Sequence, residues 1–248
     1  MIAALSDVIF PKKCVFCGRA LPVGAPVAIC GGCAAVIPYY AGRYLYESGK
    51  GGAEKTCDRI ICALKYSGFV KIAVSRYKFY DRREYGMTFA AILCERIARA
   101  EEGSECADGN TYGCNGAQYG DNEARVLSYD YVTCVPISRE RLRERGYNQA
   151  AVLAIYAAKY FGIPFNGGLI ERDEHALRQS ALRRVERNIN ARTAYRLSDA
   201  EGRELIAGAR ILLIDDIATS MSTINACAAA LKSGGAAEVV GAVLASPP

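Results

Sequence analysis

Apolar residues along this chain fall into two patterns, short uninterrupted runs and stripes that repeat every three or four positions. The runs predict strands that are buried on both faces, at residues 211–214, 239–244 and 129–135. The stripes and the Ala-rich stretches predict helices, at residues 85–100, 150–160 and 224–232. Because strands alternate with helices, the pattern favours an α/β fold with a mainly parallel sheet flanked by helices.

The strand predicted at 211–214 is the most informative, because two adjacent carboxylates, Asp215 and Asp216, follow it directly. The loop that comes next is rich in hydroxyls and contains Thr219, Ser220, Ser222 and Thr223. Hydroxyls and N–H groups at a helix N-terminus suit a phosphate, and carboxylates suit ribose hydroxyls or a hydrated Mg²⁺. The segment therefore predicts a site for a phosphorylated sugar. The alternative is an ordinary buried strand whose acids cap the following turn.

Composition indicates a globular protein without a membrane span. The 248 residues are 51% hydrophobic and 23% charged, which suffices for the core of one large domain or two modest ones. The net charge of +5 permits nucleic acid or phosphate partners without requiring them. No apolar run approaches the roughly 20 residues of a membrane span, and the N-terminus makes a poor signal peptide, so we expect a cytoplasmic protein.

Four of the eleven cysteines have the spacing of a metal site. Cys14 and Cys17 form one C-x2-C pair, Cys30 and Cys33 form a second, and twelve residues separate the two pairs. Four thiolates with this spacing predict a closed, tetrahedral and structural Zn²⁺ site; the alternatives are four free cysteines or two disulfides. We expect a zinc-binding module over residues 1–42 and an α/β domain over residues 43–248, with an inserted flexible loop at about 101–124.

Two basic stretches predict contacts with anions. In the first, Arg139 and Arg143, and likewise Arg141 and Arg145, lie four residues apart, which places like charges side by side on a helix. A pyrophosphate or a nucleic acid backbone would neutralise that repulsion; the alternative is an ordinary surface run of arginines. The second stretch, residues 179–188, contains Arg183 and predicts a mobile flap that closes over a reacting phosphate. Its alternative is a helix with a salt-bridged face.

Several motifs lie along nearly the whole chain, apart from the 101–124 insertion. Their order resembles the pattern of the ComF family, whose members are competence-associated and phosphoribosyltransferase-like. After the cysteine module come Lys78-Phe79, Val-Pro-x5-Leu-Arg-x-Arg-Gly-Tyr-Asn-Gln ending at Gln149, Gln-Ser-x-Leu-x4-Arg-Asn ending at Asn188, and Ile-Asp-Asp-x2-Thr-Ser ending at Ser220. The resemblance implies a type I phosphoribosyltransferase fold that binds Mg²⁺ and phosphoribosyl pyrophosphate (PRPP). It also implies a role in handling single-stranded DNA during uptake, with proteins of the DNA-uptake machinery as partners.

The same resemblance implies roles for individual residues. Most of the segment after the 211–214 strand matches the PRPP signature of the family, whereas Met221 stands where glycine is usual. Asp215 and Asp216 are expected to hold ribose and Mg²⁺, with Arg183 as a third catalytic residue. The resemblance assigns the 5′-phosphate to Thr219, Ser220, Met221, Ser222 and Thr223, and the pyrophosphate to Arg139, Arg141 and Arg145.

Two functions remain open at this point. The first is a phosphoribosyltransferase, an enzyme of the glycosyltransferase class that takes phosphoribose from PRPP and needs mainly positioning and charge stabilisation. The second is a non-catalytic, zinc-containing adaptor that binds single-stranded DNA and retains a vestigial or sensing PRPP site. Met221 in the phosphate loop favours the adaptor, and the intact acid pair favours the enzyme.

Overall fold

A computed structural model describes residues 11–25, 27–48, 56–79, 84–103, 127–173, 194–198 and 200–248. The flap with Arg183 lies outside these ranges, as does nearly all of the predicted insertion at 101–124. The strands of the described chain are β1 (Tyr46–Glu47), β2 (Arg59–Lys65), β3 (Tyr131–Cys134), β4 (Ile170–Arg172), β5 (Tyr195–Leu197), β6 (Arg210–Ile217) and β7 (Glu238–Ser246). Its helices are α1 (Gly31–Ala34), α2 (Gly68–Phe79), α3 (Tyr85–Glu101), α4 (Arg139–Arg145), α5 (Gln149–Phe161), α6 (Ala200–Ile206) and α7 (Ser222–Ser233).

Five strands form one sheet in the order β1-β2-β7-β6-β3. β1 is antiparallel to β2, and every other neighbouring pair in this sheet is parallel. β4 and β5 form a separate antiparallel pair. Parallel neighbours need long crossover connections, which the helices between the strands supply. The prediction of an α/β fold with a mainly parallel sheet flanked by helices is therefore confirmed.

The position of β6 explains why its apolar run is uninterrupted. Leu212 and Ile214 belong to the core on one face of the sheet, which includes α3 and α5. Ile211 and Leu213 belong to the core on the other face, beneath α7. A strand covered on both faces has no polar side. Its register with β7 continues to Ile217, so the strand is longer than predicted and the two carboxylates lie within it.

The three predicted helices are α3, α5 and α7, each longer than its predicted range by one to three residues. Local signals set their ends. At the start of α5, for example, the Asn148 side chain accepts a hydrogen bond from the Ala150 N–H at 3.1 Å, and Gly162 ends the helix with φ 68°. Among the described helices, none is long and apolar enough to cross a membrane.

The cysteine module and the sheet share one hydrophobic core. Val15 and Phe16, which lie between the first two cysteines, are buried in the same cluster as α2 and α3. The Phe16 ring packs edge-on against Phe69 of α2, at 5.3 Å between centroids, and against Phe89 of α3, at 6.2 Å. The division of the chain at residue 42 stays a prediction, and this packing ties the two parts together.

A buried guanidinium joins the segment before β1 to the sheet. Arg96 of α3 is fully buried and donates from Nε to the Cys62 carbonyl of β2 at 3.0 Å. Its Nη2 donates to the carbonyls of Gly42 and Arg43, the latter at 2.8 Å. Burial of a charge is tolerable where hydrogen-bond partners surround it. Arg96 therefore fastens three segments that are far apart in sequence.

Replacing this guanidinium with an apolar side chain is expected to destabilise the fold. Arg96→Leu removes the hydrogen bonds to the Cys62, Gly42 and Arg43 carbonyls and should lower the free energy of unfolding by about 2–4 kcal/mol. Arg99→Leu is the matched control on the same helix, because Arg99 forms a partly exposed i,i+4 ion pair with Glu95. Its effect should stay below about 0.5 kcal/mol. Equal effects of the two substitutions in urea denaturation would contradict the role of Arg96.

Candidate functional site

A cleft of about 590 Å³ opens at the carboxyl ends of β3 and β6. This is the position at which open α/β sheets bind ligands. Its floor comes from the end of β6, and its walls come from α2, α4, the start of α5, the β4–β5 pair and the start of α7. The charged side chains that line it are Lys78, Arg141, Arg145, Arg172, Asp215 and Asp216.

The two carboxylates at the end of β6 form a close pair with a lysine. Asp216 is buried, and its N–H donates to Asp215 Oδ1 at 2.8 Å. The Lys78 ammonium lies 2.8 Å from Asp216 Oδ2. Burial and repulsion from Asp216 raise the pKa of Asp215 to about 8, against the opposing effect of the Asp216 N–H. A second negative charge on this pair is therefore disfavoured, and a cation near Asp215 would make it more favourable.

The predicted phosphate loop connects β6 to α7. Thr219, Ser222 and Thr223 line the cleft, whereas Ser220 and Met221 are not among its lining residues. Ser220 Oγ instead lies 2.7 Å from Ser222 Oγ. The loop therefore presents three of its five predicted residues to the cleft, at the N-terminus of a twelve-residue helix.

Met221 adopts the backbone conformation for which glycine is usual. Its φ of 55° lies in the left-handed region, immediately before α7 begins at Ser222. A residue with a Cβ in this conformation costs roughly 1–2 kcal/mol relative to glycine. Met221 thus places a side chain at a backbone position that favours glycine.

The first basic stretch forms α4, and helix geometry divides its arginines between two sides. Arg141 and Arg145 line the cleft, and Arg139 and Arg143 do not. Residues two positions apart point in nearly opposite directions on a helix of 3.6 residues per turn, so one i,i+4 pair faces the cleft. Arg145 donates to Gln149 Oε1 at 3.1 Å, and its guanidinium carbon lies 4.9 Å from the centre of the Phe79 ring.

Three buried donors in the cleft have no hydrogen-bond partner among the described residues. They are Arg145 Nε, Gln149 Nε2 and Arg172 Nε. Buried N–H groups are nearly always paired in folded proteins, because leaving one unpaired is costly. All three side chains belong to residues that line this one cleft.

Several cleft residues had no role in the interpretation of the sequence. Lys78 appeared there only as part of the family pattern, and Gln149 only as the last residue of a motif. Arg172 and Tyr195 come from β4 and β5, with the Arg172 guanidinium 5.9 Å from the Tyr195 ring centre. No sequence signal pointed to these two, since their segments are short and their spacing carries no motif.

The four cysteines of the module meet as predicted. The sulfur atoms of Cys14, Cys17, Cys30 and Cys33 all lie within 4.8 Å of one another, and none is in a disulfide. Cys17 Sγ and Cys30 Sγ are 3.6 Å apart. A tetrahedral ion with bonds of about 2.3 Å needs sulfurs about 3.8 Å apart, so the cluster could hold a zinc ion. The Cys33 N–H lowers the pKa of Cys30 to about 7, which favours the thiolate that zinc binds.

Curated proteins from two bacteria are similar to this chain over most of its length. Competence protein F of Haemophilus influenzae is 24% identical over 213 residues, which cover 85% of this chain and 81% of that protein. DNA utilization protein YhgH of Salmonella typhi is 26% identical over 229 residues, which cover 91% of this chain and 80% of that protein. These relatives support a protein of the ComF family. No protein-family model matches it.

Two solved structures are similar to about half of this chain. One is an allosteric regulatory enzyme of purine biosynthesis, with 22% identity and a TM-score of 0.32 over 48% of this chain and 22% of that one. The other is the glutamine PRPP amidotransferase of B. subtilis, with 20% identity and a TM-score of 0.30 over 48% of this chain and 23% of that one. At these scores the similarity adds nothing to the topology described above.

Metal analysis of the purified protein should find one zinc per chain. Cys30→Ala removes one of four ligands and should lower the zinc content, make the remaining thiols reactive and lower Tm by several degrees, because Val15 and Phe16 pack into the shared core. Cys94→Ala is the matched control, since Cys94 is buried in α3 outside the cluster. Zinc well below one per chain, with all four cluster thiols reactive in the native state, would contradict the assignment.

Proposed function

We propose that the cleft binds Mg²⁺ and PRPP, and that the protein acts in DNA uptake. The observation that carries the proposal is that one cleft is lined both by a carboxylate pair and by three side chains whose buried donors have no partner among the described residues. PRPP has the complementary arrangement, because its ribose hydroxyls donate hydrogen bonds and its phosphates accept them. The names of the curated relatives, Competence protein F and DNA utilization protein, support the cellular role.

The pyrophosphate is assigned to the side of the cleft formed by α4 and the start of α5. Arg141 and Arg145 supply charge, and the Gln149 side chain supplies an unpaired N–H. Charge-assisted hydrogen bonds from guanidinium groups are well suited to phosphate oxygens. Arg139 does not line the cleft, and its contact with the pyrophosphate stays a prediction from the sequence.

The ribose hydroxyls and Mg²⁺ are assigned to Asp215 and Asp216. Carboxylate oxygens are the ligands that Mg²⁺ prefers, and the Lys78 ammonium already bound to Asp216 is evidence that the pair accepts a cation. The ion, when bound, would neutralise the charge on the departing pyrophosphate. Asp215 and Asp216 would hold the ribose in a fixed orientation relative to that group.

The 5′-phosphate is assigned to the start of α7. The hydroxyls of Thr219, Ser222 and Thr223 line the cleft there, and the first N–H groups of the helix have no intrahelical acceptor. Arg183 remains proposed as a residue that closes over the bound ligand. With both phosphate groups and the ribose held, the charged residues of the cleft would stabilise the charge that develops as pyrophosphate leaves.

Calorimetry with Mg²⁺ and PRPP tests the acid-pair assignment directly. Asp215→Asn and Asp216→Asn should each weaken PRPP binding at fixed Mg²⁺ by tenfold or more, because a neutral amide neither binds the ion nor accepts as strongly. Asp130→Asn is the control: its carboxylate accepts from the Arg210 N–H at the opposite end of β6, 2.7 Å away. Unchanged affinity in both cleft variants would reject the assignment.

A second groove favours the alternative function, an adaptor that binds single-stranded DNA. It has a volume of about 640 Å³ and lies between the cysteine module and α2. Its basic residues are Lys13, Lys71 and Arg76, none of which forms an ion pair with another described residue. Unpaired cations that converge from two parts of the fold suit a phosphate backbone. A groove of this size admits one or two nucleotides rather than a duplex.

The salt dependence of single-stranded DNA binding tests the adaptor. If the groove contacts phosphates, Lys13→Gln, Lys71→Gln and Arg76→Gln should each weaken binding and reduce the log–log salt slope by about 0.7. Lys159→Gln, an exposed lysine near the end of α5, should leave the slope unchanged. A flat salt dependence for the wild-type protein would remove the adaptor function.

A further inference from the structure

Lys78 occupies an unusual position for a lysine. It lies in the last turn of α2, and its ammonium is 2.8 Å from Asp216 Oδ2, with only 15% of the lysine side chain and 12% of the aspartate side chain exposed. Both residues line the ligand cleft. A cation of the protein itself therefore sits on the carboxylate pair to which we have assigned Mg²⁺.

An ammonium and a divalent cation compete for the same carboxylate. Asp216 Oδ2 is already the partner of Lys78, and a second cation placed beside that ammonium would be repelled at close range in a partly buried site. Entry of the metal therefore requires Lys78 to leave Asp216. Among the described residues that line the cleft, Asp215 is the only other carboxylate with which the released ammonium could pair, and Asp215 belongs to the same acid pair.

We propose that Lys78 is a resident counter-ion that holds the acid pair in the free protein, is displaced by Mg²⁺, and then pairs with a phosphate of the incoming PRPP. This inference rests on the proposed function, since it concerns the same cleft. A lysine suits the task, because its ammonium is a compact charge on a flexible stem of four carbons. The phosphates supply the only new anion in the cleft, so the metal and PRPP each make the binding of the other more favourable.

The exchange has a thermodynamic consequence. Mg²⁺ alone must break the Lys78–Asp216 pair without compensation, and PRPP alone meets a Lys78 that is already neutralised. Each ligand should therefore bind weakly by itself and tightly in the presence of the other, and the coupling must be reciprocal. A lysine that served only to stabilise the fold would produce no such coupling.

Thermal unfolding without PRPP separates the two roles. Lys78→Met leaves two buried carboxylates without a counter-ion and should lower Tm. Millimolar Mg²⁺ should restore much of that loss, because the vacated position accepts the ion, whereas the wild-type Tm should hardly change. Lys65→Met at the end of β2 is the control, since Lys65 does not line the cleft. Sodium chloride at matched ionic strength corrects for screening, and no chelator is used because it would remove zinc.

Calorimetry measures the coupling itself. Lys78→Met should bind Mg²⁺ without PRPP at least tenfold more tightly than the wild type, and the factor by which Mg²⁺ strengthens PRPP binding should fall towards one. Lys78→Gln, which keeps a neutral donor near Asp216, provides a second variant if the methionine variant folds poorly.

The outcomes distinguish this inference from the proposed function. Loss of Tm in both Lys78 variants without recovery in Mg²⁺, and with unchanged Mg²⁺ affinity, would show a purely structural ion pair and overturn the inference. Wild-type binding of Mg²⁺ and PRPP would still support the proposed function in that case. A wild-type protein that binds no PRPP at saturating Mg²⁺ would instead overturn the proposed function, together with the phosphate-pairing step of Lys78.

Discussion

The burial of β6 is the constraint on which the rest of the structure depends. Neighbouring strands pair with both of its edges and apolar cores cover both of its faces. A slip in register would therefore move the Asp215 carboxylate into an apolar core position. Asp215 and Asp216 come at its carboxyl end, next to the point where β3 ends at Cys134. The chain that leaves β3 forms α4. Parallel pairing thus brings arginines and carboxylates that are distant in sequence to one cleft.

Features that a single segment determines could be predicted from the sequence. Periodicity placed the central strands and the long helices, and the C-x2-C spacing was sufficient to bring four thiols together. Contacts between distant segments could not be predicted in this way. The pairing of Lys78 with Asp216, and the stacking of Arg172 on Tyr195, depend on how α2 and the β4–β5 pair pack around the sheet. No spacing along the chain encodes that packing.

One helix links the cysteine cluster to the ligand cleft. Phe69, at the start of α2, contacts Phe16 of the module, and Lys78 and Phe79 at its end line the cleft. The helix has twelve residues, so these two contacts lie roughly 15 Å apart along its axis. The exposed face between them contributes to the basic groove. The module therefore supports the element that carries a cleft residue, although its cysteines lie outside the cleft.

The sheet order also bears on how the chain acquires its fold. β2 has its parallel partner in β7, and the Val239 N–H reaches the Asp58 carboxylate across 181 positions of sequence. Such pairing requires a long loop to close, and the entropy cost of closure comes before the stabilising contacts form. Folding is therefore slow. Until β7 is synthesised, an apolar edge of β2 stays unpaired and open to association with other chains. We expect cotranslational protection by chaperones to matter more for the yield of this protein than the stability of its helices does.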